Sequence, residues 1–189
     1  MKKRKKESSM LVVIDMQNQI RDENSQSFIS DSPALITRIA KRLQQARAEG
    51  EYILFTRDIP IDCKDTPDEE QEALQIVPEL QPLPNEKVIK KYYFSIPPEV
   101  LLEIKEQLFN DKNEQKHIEV TGVETNICVL SNTIEIQSAF PEADFLINQQ
   151  LVSGRNHESS GLKILQDFNV EVVDRTDNLS LIHISEPTR

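Results

Sequence analysis

The chain has 189 residues, a hydrophobic fraction of 38% and a formal net charge of −10, which is enough apolar material for one domain with a sizeable core. Lys2, Lys3, Arg4, Lys5 and Lys6 supply +5, leaving −15 on the rest. An acidic body of this kind repels nucleic acid and anionic membranes, so neither is expected as a partner.

Residues 1–9 form a basic stretch expected to be a disordered tail, with Met10 as a second candidate initiator. The run Met10-Leu-Val-Val-Ile14 has strand length and is apolar throughout, as in strands buried on both faces of a parallel sheet. It is too short and wrongly flanked for a signal peptide. No apolar run has membrane-span length, so a cytoplasmic location is expected. Ser32-Pro33 reads as a helix start, Leu35, Ile36, Ile39 and Leu43 recur at helical spacing, and Gly50 is a stop signal. Tyr52 to Thr56 is a second strand, and Thr66-Pro-Asp-Glu69 has the pattern of a capping box. Lys87 to Lys90 is a third strand, and Pro97-Pro98 opens a helix to about Phe109. His117 to Thr121 is a fourth strand, and a helix runs from Thr125 or Asn126 to about Ala139. Asp144 to Ile147 and Val170 to Val173 complete six strands, with a helix from His157 to Asp167 between them. Strands alternating with helices imply a three-layer α/β/α sandwich around a mainly parallel, Rossmann-like sheet. Ser180 to Arg189 resembles translated sequencing-adapter read-through and is set aside as a probable non-native tail, so the domain is expected to span 10–179.

In parallel sheets, ligands bind beyond the carboxyl ends of the strands. Asp15, Lys91 and Cys128 fall there, at or just past the first, third and fourth strands. A thiol in the first turn of a helix feels the positive end of the helix dipole, which favours thiolate. Free N–H groups at that turn are suited to hold an oxyanion. Cysteine nucleophiles need a proton acceptor. His117 sits at the wrong end of its strand and His157 begins a later helix, so Asp15 is the better candidate. A carboxylate closing an apolar strand is costly to bury without a partner, and either Lys90 or Lys91 could supply it. Those two side chains point in opposite directions if the strand continues. Cys63 reads as structural or incidental, and two cysteines make no disulfide framework.

Three segments carry a family resemblance. Val12-Val-Ile-Asp-Met-Gln-Asn18, Lys91-Tyr-Tyr-Phe-Ser95 and Thr121-Gly-Val-Glu-Thr-Asn-Ile-Cys-Val129 resemble, in order and spacing, the motifs of the isochorismatase-like cysteine hydrolases over residues 10 to 175. The resemblance selects Lys91 over Lys90. It implies an Asp15-Lys91-Cys128 triad cleaving an amide or related C–N bond of a small molecule, with no cofactor. It also implies a cis peptide at Val123-Glu124, an oxyanion hole from the Glu124 and Cys128 N–H groups, and a homo-oligomer. Pocket candidates are Gln17, Ile20, Tyr93, Phe94 and Thr125. Metal-binding nicotinamidases of this superfamily carry Asp-x-His after the second strand. Here Asp58-Ile59-Pro60 retains the Asp but has Pro60 for the His, so no metal is expected. Gln19 and Ile20 stand where the first motif usually has an acidic residue and Phe, which points to an altered pocket. A non-catalytic small-molecule-binding or scaffold protein and a redox-sensing thiol are the competing readings. The redox reading lacks a resolving cysteine, because Cys63 falls in a separate loop.

Overall fold

The structure, a computed structural model, describes residues 7–108 and 115–176. Among the described residues, seven parallel strands form one sheet, six of them in the order β3-β2-β1-β4-β5-β7 and β6 beside β4. The strands are β1 (Glu7–Ile14), β2 (Tyr52–Asp58), β3 (Lys87–Lys91), β4 (Gln115–Val123), β5 (Asp144–Asn148), β6 (Val152–Ser153) and β7 (Glu171–Val173). The short β6 was not foreseen; it pairs with Gly122 and Val123 at the end of β4, beyond the reach of β5. Among the described residues, four α-helices flank the sheet: α1 (Ser32–Glu49), α2 (Pro98–Leu108), α3 (Leu130–Ala139) and α4 (Glu158–Asp167). Among the described residues, no helix is long and apolar enough to cross a membrane.

Alternation along β1 builds the two cores. Leu11 and Val13 face α1, packing with Leu35, Ile36, Ile39 and Leu43. Met10, Val12 and Ile14 face the opposite layer, with Leu101, Ile104, Ile136 and Leu165 of α2, α3 and α4. Successive strand residues point to opposite faces, so a strand covered on both sides must be apolar throughout. This gives the three layers expected.

Several boundaries shift. Strand β1 begins at Glu7, three residues inside the stretch expected to be a tail, because Glu7, Ser8 and Ser9 pair with Gln115, Lys116 and His117 of β4. Residues 1–6, the adapter-like segment 180–189 and the expected helix end at Phe109 lie outside the described residues. Near Thr66 the chain makes a 3-10 turn over Pro67–Glu70. Thr66 Oγ1 accepts the Asp68 N–H at 3.2 Å, but Glu69 accepts from Asp65 rather than Thr66, so the capping box is displaced by one residue.

Charge is also buried in the core. Arg42 of α1, fully enclosed, donates to Glu119 of β4 at 2.7 Å and to Glu51 at 2.9 Å. Burial pushes the Glu119 carboxyl above its usual range, and Arg42 opposes the rise. Gly122 has a different constraint. Its φ is +111°, and a Cβ there would lie 2.1 Å from the Ile14 carbonyl oxygen, so only glycine lets β4 approach the end of β1 this closely.

Candidate active site

Because the strands are parallel, the ends of β1, β3 and β4 open on one edge of the sheet. Asp15 follows the last residue of β1, Lys91 closes β3, and Cys128 lies five residues past β4. The three side chains expected to converge do so. Lys91 Nζ lies 2.8 Å from Asp15 Oδ2 and 3.6 Å from Cys128 Sγ. It also contacts Asp58 Oδ1 at 3.0 Å and the Tyr93 carbonyl oxygen at 3.2 Å. Lys91 is fully enclosed, whereas Lys90 points away and pairs with Glu69 and Glu70 at 2.6 Å each.

Asp15 adopts the left-handed region at φ 51°, unusual for a residue with a side chain. Thr56 of β2 holds it there. The Thr56 hydroxyl accepts the Asp15 N–H at 3.1 Å and donates to Asp15 Oδ1 at 2.6 Å. Thr56 was missed in the sequence; its one signal is a lone hydroxyl near the end of an apolar strand.

The peptide Val123-Glu124 is cis, at the position the resemblance implied. Next comes a single wide π-type turn over Thr125–Val129, where an uninterrupted α-helix was expected, and α3 starts only at Leu130. The Glu124 carbonyl accepts both the Ile127 and Val129 N–H groups. Two contacts fix this turn. Asn132 Nδ2 donates to the carbonyls of Cys128 at 2.6 Å and Phe94 at 2.8 Å, and its Oδ1 accepts the Ile96 N–H. Gly161 of α4 packs on Asn126 so closely that a Cβ would lie 2.8 Å from Asn126 Cα.

The electrostatics differ from the expected thiolate. Burial pushes the Cys128 thiol up, the Asp15 charge pushes it further, and Lys91 only partly opposes them. The resting thiol is therefore neutral; enclosure and a facing carboxylate outweigh the lysine and the turn's dipole. Burial also raises Asp15 above the usual carboxylate range, against the pull of Lys91. Burial alone would lower Lys91, but the Asp15 carboxylate, and after it Asp58, more than reverse this and keep it charged.

A cleft open to solvent leads to Cys128. Its walls are Asp15, Gln19, Ile20, Ser27, Asp58, Val123, Glu124 and Cys128. Of the pocket candidates only Ile20 lines it. Gln17 is enclosed behind the wall, where Nε2 donates to the Asp58 and Leu74 carbonyls and Oε1 accepts the Asp58 N–H. Thr125 is buried beside Glu158. Tyr93 and Phe94, 74% and 45% exposed, lean on each other outside the cleft. Arg155 was not foreseen either. It binds the Glu124 carboxylate through its side chain and backbone N–H, and it donates to the Gln26 carbonyl. It thereby ties the loop carrying Ser27 to the cysteine turn. A second clamp holds the 59–86 segment. Glu69 accepts from Lys90, from the Asp65 N–H and from the Tyr92 hydroxyl, which hold its carboxyl down at about 2.

Residues 9–137 match the isochorismatase domain family. The chain belongs to the isochorismatase family. Membership supports a hydrolase. Solved structures similar to this isochorismatase-family chain share its fold at low identity. An isochorismatase-like hydrolase from Alkaliphilus metalliredigens is 19% identical, with a TM-score of 0.72 over 88% of this chain and 94% of its own. A nicotinamidase/pyrazinamidase from Bacillus subtilis is 18% identical, with a TM-score of 0.72 over 88% of this chain and 100% of its own. The pyrazinamidase of Pyrococcus horikoshii, solved in complex with zinc, is 14% identical, with a TM-score of 0.72 over 89% of this chain and 99% of its own. No curated protein sequence matches significantly.

Zinc in that neighbour raises the question of fit. Among the described residues, Asp15, Asp58 and Cys128 bring potential ligand atoms within 4.8 Å of one another. The Lys91 ammonium, however, contacts all three, and a cation placed among them would face its charge directly. Pro60 has no side-chain ligand atom to offer. These residues do not fit a metal of that type.

Proposed function

We propose that the chain is a cysteine hydrolase that cleaves an amide or related C–N bond of a small molecule through a thioester. The observation that carries this reading is the contact of one enclosed ammonium with both Asp15 and Cys128 at the foot of an open cleft. Asp15, whose ionised form Lys91 favours, takes the proton from the neutral Cys128 thiol as Sγ attacks the carbonyl carbon. The N–H groups of Glu124 and Cys128 receive the negative charge that develops on the carbonyl oxygen. The tetrahedral adduct collapses, Asp15 passes its proton to the departing nitrogen, and the amine leaves. Asp15 then takes a proton from water, which attacks the thioester. The carboxylic acid departs and the proton returns to Sγ. Lys91 remains protonated throughout and balances the charge that moves between Asp15 and sulfur.

A panel of small primary amides, assayed by release of ammonia, tests this. Wild type should turn over at least one of them, and Cys128→Ala should lose on the order of 10³-fold or more in kcat while unfolding at an unchanged midpoint. Brief incubation with the substrate should add the acyl mass to wild type alone. Full turnover by Cys128→Ala would exclude the thiol as nucleophile.

A further inference from the structure

The cleft wall carries three carboxylates, Asp15, Asp58 and Glu124, and no lysine or arginine. Two of the three are balanced. Asp15 is nearly enclosed and pairs with Lys91, and Glu124 pairs with Arg155 at the rim. Asp58 shares the same Lys91, which is fully buried and already holds Asp15. The Asp58 side chain is 41% exposed, and only its Oδ1 meets the ammonium. Among the described residues, nothing donates to its Oδ2. Its backbone is fixed on both sides by Gln17, which accepts the Asp58 N–H at 2.9 Å and donates to its carbonyl at 3.1 Å. The carboxylate is therefore a held group, within 4.8 Å of Cys128 Sγ.

We propose that Asp58 is a specificity-determining residue whose outer carboxylate oxygen receives a cationic or N–H-donating group beside the scissile carbonyl, so that the site selects amides bearing an amino or amide N–H group and disfavours those bearing a carboxylate. The proposal rests on the cysteine-hydrolase reading of this cleft.

The test reads charge selection at Cys128 without needing a substrate. With Cys63→Ser as background, the thiol is modified by two methanethiosulfonates of similar size, one carrying an ammonium and one a sulfonate. In each case the thiolate attacks the sulfenyl sulfur, a mixed disulfide forms and methanesulfinate leaves. The ratio of the two rates cancels any change in thiol pKa, because both reagents meet the same thiolate. Relative to the ratio for a free small thiol, wild type should favour the cationic reagent by on the order of tenfold, as expected for a unit charge a few ångströms away in a partly hydrated cleft. Asp58→Asn should lower that preference severalfold. The acidic background of the whole chain acts nearly equally on both forms, so the change between them isolates Asp58. A wild-type ratio no higher than that of the free thiol, or an unchanged ratio in folded Asp58→Asn, overturns the proposal. If the variant does not fold, the wild-type ratio decides. Amide turnover lost in Cys128→Ala would still stand if the ratio failed, so the two readings are separable.

Discussion

Replacing Lys91 by Met removes the ammonium while keeping most of the aliphatic stem. Lys91 is fully buried and Asp15 nearly so, and they lie 2.8 Å apart. Removing one member of a buried pair strands the other and costs about 3–5 kcal/mol. Asp58 adds little to this, since its half-hydrated carboxylate can turn to water. The loss depends on pH. The folded pKa of Lys91 lies above its ordinary value of 10.5, so its stabilisation is fully present below 10.5 and fades only as pH rises through the folded value. Asp15 is already raised from 3.8 by burial, and Lys91 restrains that rise. Without the ammonium it rises further, so the variant tolerates a protonated Asp15 in mild acid and suffers from an ionised one at neutrality. Urea midpoints should therefore separate more at about pH 7.5 than at about pH 5, with slopes unchanged. Cys128 should also alkylate more slowly with iodoacetamide, because Lys91 is the cation that lowers the thiol's pKa. Coincident midpoints at both pH values, or a larger gap in acid, would refute the argument.

Thr56→Val preserves shape but removes the hydroxyl that both accepts from and donates to Asp15. It should lose about 1–3 kcal/mol in chemical denaturation. The hydroxyl lowers the Asp15 pKa, so the acid limb of the pH–rate profile should move upward; an unmoved limb would separate Asp15 from proton transfer. Gly161→Ala places a methyl 2.8 Å from Asn126 Cα and should lower the thermal midpoint through about 1–3 kcal/mol of overpacking. It should also reduce activity by moving the cysteine turn, and a midpoint equal to wild type would show that α4 can yield.

The sheet and the convergence of Asp15, Lys91 and Cys128 were legible because they depend on period and order. An apolar run ending in Asp, and helices alternating with strands, place those residues on one edge whatever the details. The cleft was not legible, because part of its wall comes from the segment 19–27, whose path depends on distant partners. Gln17 and Ile20 look equally suited to a pocket in sequence, yet the carbonyls of Asp58 and Leu74 draw Gln17 behind the wall. The buried pair of Arg42 with Glu119 joins residues 77 positions apart, and no local spacing announces it. The thiol's pKa was misjudged because spacing shows the dipole and the lysine but not the enclosure. Asn132 did leave a trace, since an Asn inside a helix often bonds to nearby backbone.

The pairing of β1 with β4 runs over eight positions, from Glu7 with Gln115 to Ile14 with Gly122. These partners are about a hundred residues apart, a separation that slows folding because a long loop must close before any contact rewards it. During synthesis at about 5–20 residues per second, β1 waits on the order of ten seconds for β4. Strand β2 arrives sooner and covers one of its edges, but the other stays open and apolar, the kind of surface that invites intermolecular pairing. The same closure brings the turn carrying Cys128 to Asp15. The environment of that thiol therefore reports when the centre of the sheet has closed on a nascent chain.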